Sequence, residues 1–84
     1  MIVPVVVEVT LRDGIADPEG ATIERALPAL GFAGVRHVRA GRAFRFDVEA
    51  ADEAAALVVA TSMAERLLAN PVIERATARR AEAP

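Results

Sequence analysis

Few side chains in this sequence could do chemistry. There is one histidine, His37, one serine, Ser62, twelve carboxylates and ten basic residues, all of them arginine. His37 lies on the polar side of an alternating stretch, where an exposed or hydrogen-bonded ring is the ordinary reading. Acid–base catalysis would require a partner within hydrogen-bond reach, and Asp47 and Glu49 are the only nearby candidates. Ser62 has no histidine on its own segment, so no nucleophile–base pair follows from the spacing. One histidine without cysteine makes no zinc set. The absence of lysine removes Schiff-base and P-loop chemistry. Gly14, Gly20, Gly31, Gly34 and Gly41 match no phosphate loop. Asp17-Pro18-Glu19-Gly20 could point helix N–H groups at an anion, but its two acids would repel it. The sequence therefore offers no catalytic, cofactor-binding or metal-binding residue.

The arginines have the more informative spacing. Arg36, Arg39, Arg42 and Arg45 recur every third residue. On a strand, this splits them between two faces, so they make no single basic stripe. The net charge of −2 also argues against general nucleic-acid binding. Two readings remain. The arginines guard a solvated edge against stray strand pairing, or Arg39, Gly41 and Arg42 form a tip that docks onto acidic groups or phosphate of a partner.

The elements that position them follow from periodicity. Val38, Phe44, Phe46 and Val48 share even numbers, with polar neighbours between them, as in a half-buried extended chain. This predicts a β-hairpin with Ala40-Gly41-Arg42 at its tip and glycine supplying a positive φ. One long bent strand is the rival. Upstream, Val3, Val5, Val7, Val9 and Leu11 alternate along a strand over about residues 2–11. Asp17, Pro18 and Glu19 then cap and open a helix, with Ile23, Ala26, Leu27 and Leu30 as its stripe and Gly31 at its close. Pro28 predicts a kink or a slack last turn. Asp52 caps a second helix striped by Ala56, Ala60, Met63, Ala64 and Leu67, which ends at Asn70-Pro71. Val72–Thr77 reads as a short last strand, with residues 77–84 as a frayed tail.

The order strand, helix, strand, strand, helix, strand predicts an α+β, βαββαβ two-layer sandwich. It has a four-stranded antiparallel sheet, two helices on one face and an open second face with apolar candidates. Residues 1–84 read as a single domain. So short a chain has a thin core, and without cysteine oligomerisation is the expected supplement. The apolar fraction of 54% excludes a disordered chain. No apolar run reaches the ~18 residues of a membrane span. The start, Met1-Ile2-Val3-Pro4, lacks a signal-peptide pattern, so the expected location is the cytoplasm.

Five segments in order resemble a known family. They are Val7–Arg12, Asp17–Gly20, Ala26–Phe32, Val35–Arg42 and Leu67–Glu74. Together they are similar to PurS, the small subunit of phosphoribosylformylglycinamidine synthase in purine biosynthesis. Arg12 and Arg42 stand where the family commonly has lysine, and Pro28 is unusual for it. The resemblance implies a non-catalytic, homodimeric subunit, inactive in isolation. It would bridge a synthetase subunit and a glutamine amidotransferase subunit so that ammonia reaches formylglycinamide ribonucleotide. ATP and magnesium would belong to the complex, with no cofactor in this subunit. The element order also suits an ACT-like regulatory module that binds an amino acid between two copies; neither reading involves nucleic acid or membrane.

Overall fold

A computed structural model describes residues 1–82. Its centre is β1 (Ile2–Leu11), a valine-rich strand flanked on both sides by antiparallel partners. β2 (Gly41–Glu49) pairs along one edge, with Val7 opposite Phe44 and Val5 opposite Phe46. β3 (Glu74–Arg80) pairs along the other, with Val7 opposite Ala78. Strand alternation puts Val3, Val5, Val7 and Val9 on one face, and all four are buried. The facing helix α2 (Glu53–Met63) contributes Ala56, Ala60 and, in the turn that follows, Ala64. Small side chains at this spacing let the helix lie close to the valines, and Phe44, Phe46 and Val48 complete the core.

Pro4 is tolerated in the central strand because its backbone faces β3 at the end of the pairing. Its carbonyl accepts the Ala81 N–H at 2.9 Å, one position beyond the last β3 register pair, so its missing donor breaks no ladder bond. The opposite sheet face is polar, not apolar as expected. Glu8 binds Arg79 at 2.7 Å there, and Val6, the buried exception, has Arg45 and Arg79 as its register neighbours.

Several expectations are corrected. The sheet has three strands, not four. Residues 36–40 form neither the first arm of a hairpin nor part of a bent strand. His37 adopts a left-handed φ of 59°, which ends extended geometry. The N–H groups of Val38 and Ala40 bind side chains instead of a neighbouring strand. Gly41 starts β2 and has no positive φ. The second helix layer is also incomplete. Helix α1 (Pro18–Ala26) packs substantially on no strand, and its stripe residue Ile23 is exposed. At the other end, β3 runs through Arg80 into the segment read as frayed; residues 83–84 lie outside the described residues.

Both capping expectations hold. Asp17 accepts from Gly20 N–H at 2.9 Å and Asp52 from Ala55 N–H at 2.8 Å. Pro28 ends α1 early: a 3₁₀ turn, Pro28–Leu30, follows and closes on Gly31 at φ 92°. Beyond α2 the chain widens into a π turn, Ala64–Leu68. A π turn takes more residues per revolution, so side chains beyond it fall behind the α-helical stripe. Leu67, expected in the stripe, is therefore turned outward and 77% exposed, while Leu68 packs against the core.

Candidate partner-docking site

Residues 17–40 form an arm beside the sheet, fixed by two carboxylates. Asp17 sits before α1 and accepts from Gly20 N–H through one oxygen and from Ala40 N–H, at 2.8 Å, through the other. One turn beyond Gly20, Glu24 accepts the Val38 N–H at 2.9 Å. The segment leading into β2 is thus stitched to α1 by backbone donors that a strand would have used. Gly20 makes this approach possible: a Cβ there would lie 2.5 Å from both the Asp17 carboxylate and the Val38 carbonyl oxygen. The two N–H donors, first Gly20 and then Ala40, together with the nearby Arg39 charge, hold the Asp17 carboxyl below its ordinary range.

Arg39, Gly41 and Arg42 therefore sit at the base of the arm, not at the tip of a hairpin. Arg39 donates to the Leu11 carbonyl at 3.1 Å, tying the arm to the end of β1. Gly41 lies so close to β1 that a Cβ would come within 2.7 Å of the Val9 carbonyl oxygen. Arg42 crosses the core face to Glu74 at 2.8 Å and donates to the Leu68 carbonyl at 3.3 Å, with its guanidinium 5.6 Å from the Phe44 ring centroid. A cation at the C-terminal end of α2 and its π turn meets the negative end of the helix dipole. Glu74 also accepts the Asn70 N–H at 2.8 Å, and this bond, followed by Arg42, lowers its carboxyl pKa. A cleft of about 240 Å³ lies between these groups, lined by Val9, Leu11, Asp17, Glu19, Arg42 and Glu74. Asp17, Arg42 and Glu74 are already partnered within the chain, which suits a joint better than a ligand site.

Large apolar side chains stand exposed elsewhere, and three of them, Ile23, Leu30 and Leu67, were expected in the apolar stripes of the helices. On the arm, Ile23, Leu30, Phe32 and Val35 are exposed, Leu30 by 69% and Phe32 by 57%. On the outer side of α2 and its π turn, Val58, Val59 and Leu67 are exposed as well. The sequence signal was present: α2 is apolar on nearly every side, which a surface helix with a single covered face does not require. Residues 36–45 do not gather their arginines, and His37 is exposed with a left-handed backbone. Among the described residues, no group of three or more histidines, cysteines or carboxylates could hold a metal, and no helix is long and apolar enough to cross a membrane.

Comparison with known proteins adds a second line. The family described as PurS: phosphoribosylformylglycinamidine (FGAM) synthase matches residues 4–82. The phosphoribosylformylglycinamidine synthase subunit PurS of Archaeoglobus fulgidus is 44% identical over 75 residues, covering 89% of this chain and 91% of that one. The PurS subunit of Mycobacterium leprae is 42% identical over 82% of this chain and 84% of its own length. Among solved structures, the purS subunit of Thermotoga maritima superposes with a TM-score of 0.88 at 31% identity, covering 96% of this chain and 93% of that one. A chain of the PurLQS structure from the same organism superposes with a TM-score of 0.86 at 31% identity, over 96% and 99% of the two chains.

Proposed function

The chain belongs to the PurS family of phosphoribosylformylglycinamidine synthase subunits, and from that premise we propose that it bridges the synthetase and glutamine amidotransferase subunits of that enzyme. Held together in this way, the two active sites pass ammonia from glutamine to formylglycinamide ribonucleotide, in the ATP-dependent step of purine synthesis leading to IMP. ATP and magnesium act on the synthetase subunit, and the assembly works in the cytoplasm. The observation that carries the reading is the arm. A segment pinned at both ends by Asp17 and Glu24 presents Leu30 and Phe32 to solvent, away from the chain's own core. Large apolar side chains held rigidly outward suit docking, because little conformational entropy remains to be lost on binding. Arg39, Gly41 and Arg42 secure the base of the arm that carries this surface.

The test is reconstitution with both partner subunits. The double change Leu30→Glu, Phe32→Glu leaves the melting temperature nearly unchanged, because neither residue belongs to the buried core. Assembly and glutamine-dependent product formation then fall together, while each partner keeps its own partial activity. A folded double variant that assembles with wild-type affinity would overturn the proposal.

A further inference from the structure

β3 is an edge of the sheet, and its charge departs from that of the chain. Between Glu74 and Arg80 stand three arginines and one acid, in a chain whose net charge is −2. The acid, Glu74, is committed to Arg42 and to the Asn70 N–H. The arginines are each about half exposed. Arg75 meets Asp13 only at 3.7 Å, and Asp13 is itself almost wholly exposed; Arg80 meets Glu53 only at 3.6 Å. Arg79 is held more firmly, by Glu8 at 2.7 Å, but a guanidinium has five donors and can take a second carboxylate.

The backbone fixes which β3 groups are free. Ala81 donates to the Pro4 carbonyl at 2.9 Å, and Arg12 donates to the Ile73 carbonyl at 2.8 Å. In an antiparallel ladder the N–H and C=O of one residue point the same way, alternating along the strand. Odd-numbered residues of β3 therefore bond to β1, in line with the register that pairs Glu8 with Thr77. Ala76, Ala78 and Arg80 point their N–H and C=O groups outward, along an edge that no other described strand covers. The side chains of Ala76 and Ala78 lie on the core face, where they are only half-buried. Those of Arg75, Thr77 and Arg79 lie on the opposite face.

We propose that β3 accepts an extended, acidic segment of a partner subunit as a fourth strand, a mode of contact that rests on the bridging reading above. Main-chain bonds to Ala76, Ala78 and Arg80 supply affinity, and alternate side chains supply selectivity. On one face of the added strand, carboxylates spaced as Arg75 and Arg79 are spaced meet those arginines, and opposite charges stabilise cross-strand neighbours. On its other face, apolar side chains lie beside Ala76 and Ala78 and extend the cover of the core. The same arginines select against the wrong partner. Antiparallel pairing of β3 with its own copy over its full length, about Thr77, would set Arg75 against Arg79 twice, and like charges directly opposite destabilise.

Amide exchange of the chain alone, and in the assembly reconstituted with both partner subunits, tests this. Alone, Ala76 and Ala78 should exchange fast while Thr77 and Arg79 are protected; in the assembly all four should be slow. Ala78→Pro removes an outward N–H that no ladder bond uses, so the variant should stay folded by circular dichroism. Its affinity for the partner subunits should fall on the order of tenfold. Arg75→Glu should weaken assembly to a similar degree at low salt and less at high salt. The proposal fails if Ala76 and Ala78 still exchange fast in the assembly, or if both folded variants assemble with wild-type affinity. The bridging reading then stands, because assembly itself has been observed. A wild-type chain that binds neither subunit overturns both. Slow exchange that appears in the isolated chain as its concentration rises assigns the edge to a second copy and overturns the proposal as well.

Discussion

Gly20→Ala is the most exacting test of the arm, because helix propensity and tertiary geometry predict opposite signs. In an exposed helix interior, replacing glycine by alanine stabilises by up to ~1 kcal/mol. Here the new Cβ would lie 2.5 Å from the Val38 carbonyl oxygen and 2.5 Å from the Asp17 carboxylate. The Asp17 side chain can rotate, at the cost of releasing Gly20 and Ala40. The Val38 carbonyl belongs to the backbone, so the arm itself must retreat by several tenths of an ångström. Overpacking of this kind costs ~1–3 kcal/mol. Less a full propensity gain, the net destabilisation should be ~0–2 kcal/mol, and at its centre of about 1 kcal/mol it lowers the melting temperature by roughly 4–8 °C for a domain of this size. The displacement also stretches the Ala40–Asp17 and Val38–Glu24 hydrogen bonds, which start at 2.8 and 2.9 Å. Amide exchange should therefore accelerate at Val38 and Ala40 and stay unchanged at Val5 and Val7. A melting temperature equal to or above wild type, with both arm amides still protected, would refute the account of the clasp.

Two further outcomes concern charge. Arg42→Ala should lower the melting temperature measurably, because it removes the ion pair to Glu74 and the bond to the Leu68 carbonyl, whereas Arg39→Ala should lower it less; thermal melts of the two variants decide this. Asp17 and Glu74 both have lowered carboxyl pKa values in the fold, so their contribution is complete above the unfolded-state pKa and is lost as pH falls through the folded one. Melting temperature should accordingly decline as pH drops below about 4, and Glu74→Gln should flatten that decline.

The strands were the most legible part of the sequence, and the reason is burial on one face. β1 and β2 alternate, Val6 apart, because one side meets α2 and the other meets water, so parity assigned the odd-numbered valines from Val3 to Val9 and the even-numbered Phe44, Phe46 and Val48 to one face correctly. The same parity misled at Val38. An even-numbered valine next to a strand looks like more strand, yet its N–H is taken by Glu24, a residue fourteen positions away that no local pattern links to it. Helix caps were legible because Asp17 and Asp52 act within three residues. The stripe of α1 was legible as apolar but not as uncovered: periodicity shows that Ile23 and Leu30 need a neighbour, and cannot show that the neighbour is absent from this chain. Leu67 was misplaced because a π turn is a change of pitch, and nothing in Ala64–Leu68 announces it. As for the site, the sequence read Arg39, Gly41 and Arg42 as a hairpin tip, and their long-range neighbours were not legible in it. The long-range partners Leu11, Val9 and Glu74 make them a joint.

The fully buried core is valine and alanine, with Phe44 and Phe46 half-buried against it, while Leu30, Phe32, Leu67 and Ile73 are exposed. Hydrophobic stabilisation scales with the apolar area removed from water, so this distribution divides the driving force unequally between folding and association. A solitary copy gains only what its small residues supply, and a larger share arrives when other surfaces cover the large ones. Resistance to heat and to proteolysis should then rise with the concentration of whatever it binds, by mass action. A copy left without its neighbours should therefore melt and be cleaved sooner than one that is bound.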